Sequence, residues 1–254
     1  MSQGSLEHVA DDECIHGFPV GMCDICYPRT PVVTAPVRRT PSPRTPRVAG
    51  SAPAAPPFAF ATQRFFHVTH IDNLAAILSD GALRADATPE VDVSSPTTRE
   101  LRAAADLADG STVAGHVAFY GSPTAARWTE LRDGAVGPHW SDAARAAKAT
   151  EFLLLGVPGS ALGDAVVAAD ADAAAPATRF AFGVADATTL LRRVRAGDPE
   201  LTEVELLSAD PVPVSSIAAI TVANEPMRDL VRYLLTEAGA APKIAVYPPW
   251  YATA

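Results

Sequence analysis

The sequence lacks any apolar run long enough to cross a lipid bilayer, so no membrane-spanning helix is expected. Its first residues, "MSQGSLEHVADDE", contain neither a basic start nor an apolar segment, so a secretory signal is not indicated. We therefore expect a cytoplasmic protein without a membrane partner. The 254 residues, 48% of them hydrophobic, are enough for one large core with appendages.

Positive charge is also scarce. The chain has 20 Lys and Arg residues against 29 Asp and Glu residues, which gives a net charge of -9. Phosphate affinity is carried by Lys and Arg, so this balance argues against broad, nonspecific nucleic-acid binding but leaves room for a local basic groove. The excess of acid lies after residue 60, because five acids and five arginines balance before it.

Glycine-rich nucleotide motifs are absent, since neither a GxGxxG nor a Walker-type loop occurs, and an ordinary Rossmann or P-loop site is not indicated. Short strand-like segments and an amphipathic helix are present instead. They are "HVAFYGSP" (116–123), "EFLLLGVP" (151–158), "TRFAFGVA" (178–185), one or two strands within 202–224, the helix "EPMRDLVRYLLTEAG" (225–239) and "KIAVYPPWY" (243–251). Strands and helices without strict alternation predict the α+β class.

Only three cysteines occur, and all of them lie in "ECIHGFPVGMCDIC". Cys14, His16, Cys23 and Cys26 supply the donors of a tetrahedral Zn²⁺ site, and Cys23-x-x-Cys26 has the spacing that lets two sulfurs bind one ion. We predict a structural zinc knuckle in residues 1–28. The alternative is a set of free or redox-active cysteines, because a disulfide framework is not expected in an intracellular chain.

A proline-rich segment follows, "YPRTPVVTAPVRRTPSPRTPRVAGSAPAAPPFAF", with nine prolines, five arginines and no acid. This composition is typical of an extended or disordered linker. It serves either as a spacer or as a weak electrostatic arm for a polyanion, and the spacer is favoured. The predicted division is therefore a zinc knuckle at 1–28, a linker at 29–60 and a catalytic domain at 61–254.

The domain opens with "RFFHVTHIDNLAAILSDG" (64–81), which changes from a period of two to a helical period. Leu74, Ile77 and Leu78 are spaced as one helical face. Asp72 is the predicted N-cap, and Gly81 is predicted to end the helix. Two histidines of the strand, at 67 and 70, are three residues apart, so they face opposite sides and are poor ligands for one metal.

Four segments, in one order from residue 64 to 251, resemble the DarT family of NAD-dependent nucleic-acid ADP-ribosyltransferases. "THIDNLAAIL" with the following Gly81 looks like the opening signature of the family, and "HVAFYGSP" is similar to its V-P-F-Y-F-x-P strand. "EVELLSADPVPVSSIAAITV" is similar to its Q-A-E-F-L-V segment followed by V-P-L and I-x-x-I-x-V. "KIAVYPPWY" is similar to its terminal strand, which ends in W-Y.

The resemblance implies an ADP-ribosyltransferase-like fold, with mostly antiparallel sheets flanked by helices. It implies that NAD is the substrate and that the reaction is a glycosyl (pentosyl) transfer to a nucleic-acid base. The expected acceptor is a base of single-stranded DNA. It also implies a toxin of a toxin–antitoxin or phage-defence system, with a DarG-like macrodomain antitoxin as a possible partner. The zinc-like head and the linker lie outside the resemblance.

The resemblance also assigns site residues. Glu205 stands at the glutamate of the family's A-E-F-L-V and is the expected catalytic carboxylate, and Arg102 is the expected catalytic arginine, with Arg99 as the other possibility in "TTRELRAAADLADGST". The expected cofactor-binding residues are His67, Thr69, Asn73 and Tyr120. Asn73 is expected either to contact NAD or to brace a loop.

The sequence also departs from the family pattern. Gly121 replaces a bulky Phe, and "GSPTAARW" replaces the family's R-S-P-M continuation. Two alternatives therefore stay open: a degenerate family member that acts as a zinc-containing binding protein, and a transferase that modifies RNA or protein. Without the resemblance, Glu205 reads as part of an exposed strand edge, and Arg102 reads as part of a solvated helix face.

Overall fold

A computed structural model describes residues 58–253, and its mixed architecture confirms the predicted α+β class. The strands are β1 (Arg64–His70), β2 (Ala82–Leu83), β3 (Val117–Tyr120), β4 (Phe152–Pro158), β5 (Val167–Ala169), β6 (Phe180–Phe182), β7 (Glu205–Ser208), β8 (Val212–Pro213), β9 (Ala219–Val222) and β10 (Lys243–Val246). The helices are α1 (Leu74–Asp80), α2 (Pro96–Ala104), α3 (Ala126–Arg132), α4 (Asp142–Ala146), α5 (Gly183–Arg195) and α6 (Glu225–Glu237).

Eight of these strands form one sheet in the order β10-β9-β4-β1-β3-β7-β5-β6. Every pairing in this sheet is antiparallel except that of β9 with β10. The central pair is β1 with β4, which stay in register from Arg64↔Pro158 to His70↔Phe152. Strands β2 and β8 form a separate two-stranded sheet.

Two hydrophobic cores cover the two faces of the central strands, because successive residues of a strand point to opposite sides. The first core contains Phe65 and Leu153 and packs against α1, α5 and α6. The second core contains Phe66, Leu154 and Trp128 and packs against α3 and α4. The β1 strand therefore separates two packed layers.

The strand-to-helix unit after β1 follows the prediction with one correction. The predicted N-cap Asp72 is wrong, because a 3₁₀ turn over Ile71–Asn73 precedes α1 and the ring Nδ1 of His70 accepts the N–H of Asp72 at 3.3 Å. Gly81 ends α1 with a φ of 70°, as predicted.

The predicted strand at 178–185 is shorter than expected. It ends at Phe182, and α5 begins at Gly183, whose φ of 76° lies in the region that favours glycine. The predicted helix near the C-terminus is confirmed as α6. Its N-cap is Asn224, whose Oδ1 accepts the N–H of Met227 at 3.0 Å.

The compact unit begins at Phe58, and the side chains of Phe58 and Phe60 are buried in the first core. Over residues 58–253, no helix combines the length and the apolar character needed to cross a membrane. The predicted zinc ligands Cys14, His16, Cys23 and Cys26 lie outside the described residues, as does the predicted linker up to residue 57.

Candidate active site

The candidate site lies where β1 and β3 separate. The two strands share one register pair, Phe66↔Tyr120. One step further along β1, His67 donates from Nδ1 to the carbonyl oxygen of Ala118 at 2.9 Å, so a side chain takes the place of a backbone bond of the ladder. The gap that results between the two strands opens a cavity in the face of the sheet.

The glutamate at the start of β7 faces this gap. Glu205 lies opposite Tyr120 in the β3–β7 register and is only 4% exposed, so it is not part of a solvated strand edge. Its Oε1 accepts a bond from Arg102 Nη1 at 2.8 Å, and its Oε2 accepts the backbone N–H of Ala173 at 2.9 Å. Both carboxylate oxygens are thus fixed in direction.

Helix α2 delivers the arginine of this pair. The helix begins after Ser95, whose hydroxyl oxygen accepts the N–H of Thr98 at 3.1 Å. Burial lowers the pKa of Arg102, but the charge and the hydrogen bond of Glu205 outweigh it, so the pKa is raised overall and the group stays a cation. Arg99, by contrast, turns to the surface, where Nη1 contacts Asp92 Oδ2 at 2.6 Å.

The Tyr120 phenol stays protonated, because burial and the negative charge of Glu205 raise its pKa. The imidazole of His67 is kept neutral by the opposite effect, since burial lowers its pKa and the bond to Ala118 opposes this only in part. A carbonyl oxygen only accepts, so His67 carries its proton on Nδ1. Its Nε2 is therefore an acceptor.

The last two predicted cofactor-binding residues are engaged with the protein. The Nδ2 of Asn73 donates to Thr69 Oγ1 at 3.2 Å and to the carbonyl of Val91 at 3.0 Å. The Oδ1 of Asn73 accepts the N–H of Val91 at 2.8 Å. Of the two roles expected for Asn73, this geometry supports the bracing of the loop before α2, with Thr69 as its partner.

A second ion pair lies beside the first. Arg127 contacts Asp172 through Nη2, and its Nη1 lies 3.0 Å from Glu130 Oε2. Burial raises the pKa of Asp172, but the N–H of Ala174 and the charge of Arg127 outweigh it, so the pKa is lowered and Asp172 is ionised. The sequence did not indicate Asp172 or Arg127, because Asp172 lies in an alanine-rich loop and Arg127 in a short helix, and neither segment carries a motif.

Three adjoining cavities meet at these residues. The α1 cavity, about 220 Å³, lies beside α1 and is lined by His67, Thr69 and Asn73 among others. The central cavity, also about 220 Å³, is lined by His67, Arg102, Tyr120, Glu205, His116 and Trp140 among others. The α3 cavity, about 460 Å³, lies beside α3 and shares Tyr120, Arg127, Asp172 and Glu205 with the central cavity.

The structure thus brings Glu205, Arg102, Tyr120 and His67 to one cavity and places Thr69 and Asn73 in the adjoining one. A fourth cavity, the Arg64 cavity of about 530 Å³, lies apart from these and is lined by Arg64 and Arg195 among others. Across residues 58–253, no group of three or more His, Cys, Asp or Glu side chains is placed to hold a metal ion.

Known proteins with a similar fold exist. The structure of Thermus sp. 2.9 DarT in complex with ADP-ribosylated ssDNA has a TM-score of 0.64 at 21% identity, covering 75% of this chain and 96% of that chain. The same protein in complex with NAD⁺ has a TM-score of 0.59 at 21% identity, covering 75% and 98%. Thermosipho africanus DarTG in complex with ADP-ribose has a TM-score of 0.57 at 16% identity, covering 74% of this chain and 51% of that chain.

These similarities establish the fold. No curated protein matched the sequence. The family model described as "ssDNA thymidine ADP-ribosyltransferase, DarT" matches residues 66–252, which is most of the chain. This match confirms the predicted enzyme class, an NAD-dependent ADP-ribosyltransferase with single-stranded DNA as acceptor. The chain belongs to the DarT family of ssDNA thymidine ADP-ribosyltransferases.

Proposed function

We propose that ADP-ribose transfer takes place in the central cavity, with Glu205 as the carboxylate beside the reacting ribose carbon. The observation that carries this proposal is the buried Glu205 carboxylate, held by Arg102 and by a backbone N–H at one wall of that cavity. A buried acid with both oxygens oriented is preorganised to stabilise positive charge, because no further rearrangement is needed when that charge develops.

NAD⁺ binds across the α1 cavity and the central cavity. His67 lies between them, since it lines both. Its Nε2 accepts a bond from a ribose hydroxyl, because its Nδ1 proton is used by Ala118. The nicotinamide ribose then lies in the central cavity beside Glu205, and the adenosine half extends toward α1.

The chemical step breaks the bond between the anomeric carbon and nicotinamide. The electron pair leaves with nicotinamide, which becomes neutral, and the ribose passes through an oxocarbenium-like state that the Glu205 carboxylate stabilises. A nitrogen of the acceptor base forms the new bond to that carbon and loses its proton to the Glu205 carboxylate, which lines both the central and the α3 cavity. Arg102 lies at this centre because it contacts Glu205, and this position favours a role in stabilising the negative charge that develops on the base.

The acceptor base enters through the α3 cavity. This cavity shares Glu205 and Tyr120 with the central cavity, and it has no lining residue in common with the α1 cavity. The neutral phenol of Tyr120 offers an aromatic face on which a flat ring can stack. Asp172, Glu130 and Glu203 also line the α3 cavity, so a phosphate group is disfavoured there and the base edge enters instead.

The test is a comparison of Glu205→Gln with Glu237→Gln. Both variants remove one negative charge, but Glu237 is exposed at the end of α6 and does not line the α1, central or α3 cavity. With labelled NAD⁺ and thymidine-containing single-stranded DNA, Glu205→Gln is expected to lower kcat by about 10²–10³-fold. Glu237→Gln is expected to change kcat by less than about fivefold, because an exposed charge is screened. Equal losses in the two variants, or transfer only to RNA or protein pools, would contradict the proposal.

We propose further that the enzyme is a toxin whose partner is a macrodomain antitoxin. The likeness to the Thermosipho africanus DarTG chain, about half of which this chain covers, supports this proposal. Expression of the parent is expected to stop the growth of a bacterial host, and Glu205→Gln is expected to allow growth. A host that grows equally with both proteins would contradict the toxin role.

We also propose one structural zinc ion bound by Cys14, His16, Cys23 and Cys26. The support is the donor set and the Cys23-x-x-Cys26 spacing in the sequence. Elemental analysis is expected to find one zinc per chain in the parent and none in Cys23→Ser. Native protein purified without chelators that contains no zinc would contradict this proposal.

A further inference from the structure

Two buried side-chain nitrogens have no hydrogen-bond partner among the described residues, and both belong to residues that line the central cavity. They are Nε2 of His116 and Nε1 of Trp140. The two side chains are 5% and 6% exposed. Burying an unpaired polar atom costs free energy, so two such atoms in residues that line one cavity call for a partner from outside the protein, either water or a ligand.

The chemical roles of the two nitrogens are complementary. His116 contacts the carbonyl oxygen of Thr112 through Nδ1 at 2.9 Å, and because a carbonyl only accepts, the proton is on Nδ1. An imidazole that carries its single proton on Nδ1 has an acceptor at Nε2. Trp140 Nε1–H is only a donor. Two residues that line the cavity thus contribute one unpaired acceptor and one unpaired donor.

Both residues are held by backbone contacts. Trp140 forms an isolated β-bridge with Ser94, and the flanking Ser141 N–H donates to the carbonyl of Val93 at 3.0 Å. The N–H of His116 donates to the carbonyl of Val113 at 3.2 Å, directly before β3. The backbones of the two residues are therefore held before a ligand arrives, which lowers the entropic cost of binding.

We propose that His116 and Trp140 are positioning residues that recognise a planar amide, whose carbonyl accepts from Trp140 Nε1–H and whose N–H donates to His116 Nε2. This inference rests on the proposed function, in which NAD⁺ and a base meet at the central cavity. Two sources carry this group: the carboxamide of the nicotinamide half, and the carbonyl and ring N–H edge of a thymine-type base.

The experiment uses two variants that keep the remaining contacts. His116→Asn retains a donor for the Thr112 carbonyl but removes the Nε2 acceptor, and Trp140→Phe retains the aromatic ring but removes the donor. Each is expected to raise one KM by about five- to tenfold, which is the effect of removing one hydrogen bond, and to leave the other KM within about twofold. A raised KM for NAD⁺ assigns the carboxamide, and a raised KM for the oligonucleotide assigns the base.

A matched control separates this role from a structural one. Trp128 is also buried, but its Nε1–H donates to the carbonyl of Trp250 at 2.9 Å. Trp128→Phe is expected to lower the thermal midpoint and to leave both KM values unchanged. Trp140→Phe is expected not to lower the thermal midpoint, because it removes an unpaired buried donor. A lowered midpoint in Trp140→Phe, with both KM values unchanged, would overturn the proposal.

A binding measurement on the parent does not require turnover. The chain has three tryptophans, so the indole N–H signal of Trp140 is assigned by its loss in Trp140→Phe. Titration with nicotinamide, or with a thymidine oligonucleotide, is expected to shift this signal downfield. Pyridine lacks an amide, so it is expected to leave the signal unshifted. If neither nicotinamide nor the oligonucleotide shifts the Trp140 signal, this inference is wrong. If the parent transfers no ADP-ribose, the proposed function is contradicted, but the titration still tests this inference because it requires no turnover.

Discussion

At the scale of single residues, the pair of Arg102 and Glu205 illustrates the difference between charge for stability and charge for function. The Arg102 side chain is 19% exposed and that of Glu205 is 6% exposed, so both groups have lost most of their water. Desolvation offsets much of the attraction in such a pair, which makes it a weak source of stability. In the proposed mechanism, the pair holds a cation and an anion ready beside the same cavity.

Replacing Arg102 by Lys tests this role. Lysine keeps the charge but lacks the planar fork of arginine, so we expect Arg102→Lys to lower kcat by about 10- to 100-fold. The matched variant Arg99→Lys changes a residue that is 51% exposed, and its kcat is expected to stay within about twofold of the parent. Steady-state rates of ADP-ribose transfer decide the comparison, and a larger loss in Arg99→Lys would contradict the placement of Arg102.

A second prediction at this scale concerns His67 and the pH dependence of the stability of the fold. Burial lowers its pKa in the folded protein below the ordinary value of 6.5. As the pH falls through 6.5, the unfolded chain takes up a proton before the folded protein does, so folding becomes less favourable. Above that pH both states are neutral at this position and no effect remains.

The measurement is the thermal midpoint of the parent and of His67→Asn at pH 7.5 and 5.5, chosen about one pH unit on either side of the ordinary pKa. Asparagine can still donate to the Ala118 carbonyl but does not titrate. The parent is expected to lose more stability between the two pH values than the variant. An equal loss would mean that the His67 pKa is not lowered.

At the scale of elements, the turn from β3 to α3 explains one departure from the family pattern. Gly121 follows Tyr120, where the family has a bulky residue. A Cβ at Gly121 would lie 2.6 Å from the carbonyl oxygen of Leu201 and 2.8 Å from its Cβ. Leu201 is buried in the first core, so the space beside this turn is filled by a residue from another segment of the chain.

Gly121→Ala is therefore expected to lower the free energy of unfolding by about 1–3 kcal/mol, the usual cost of overpacking. Gly115→Ala is the control, because a Cβ there meets nothing within 4 Å. It is expected to be neutral or to stabilise by up to about 1 kcal/mol. Urea denaturation of the two variants measures the difference, and equal stability would show that Leu201 yields without cost.

At the scale of the whole molecule, the acidic balance restricts where DNA can bind. Among the described residues, many arginines contact a carboxylate, including those of α6, where Arg228 and Arg232 both lie near Asp229. Arg64 and Arg195 form no ion pair within this part of the chain, and both line the Arg64 cavity. We therefore expect the phosphates of the acceptor strand to pass this cavity.

The double variant Arg64→Gln with Arg195→Gln is expected to weaken binding of labelled single-stranded DNA. For this variant, the slope of the logarithm of the DNA association constant K against the logarithm of the salt concentration is expected to become shallower by about 0.7 for each phosphate that is no longer neutralised. The paired arginines provide the control, since Arg228→Gln with Arg232→Gln removes the same charge elsewhere. Fluorescence anisotropy between about 50 and 200 mM salt measures both slopes. Identical slopes in the two double variants would exclude this path.

The sequence by itself determined what depends on local order along the chain. Periodicity and caps predicted the strand over residues 65–70, the helix from residue 225 and the end of α1 at Gly81, because backbone geometry and helix termini follow from neighbouring residues. Four ordered motifs were enough to indicate the enzyme class. Composition also set the net charge, and with it the expectation that any basic groove must be local.

Only the tertiary structure decided which residues meet. Arg99 and Arg102 both lie in α2 and look alike in sequence, but in the folded domain Arg102 contacts Glu205 whereas Arg99 contacts Asp92. Asp172 lies outside every motif recognised in the sequence, and it reaches the cavity from the loop between β5 and β6. The physical reason is that a helix face or a strand face is a local property. The partner that covers it is chosen by burial and charge pairing across the whole domain.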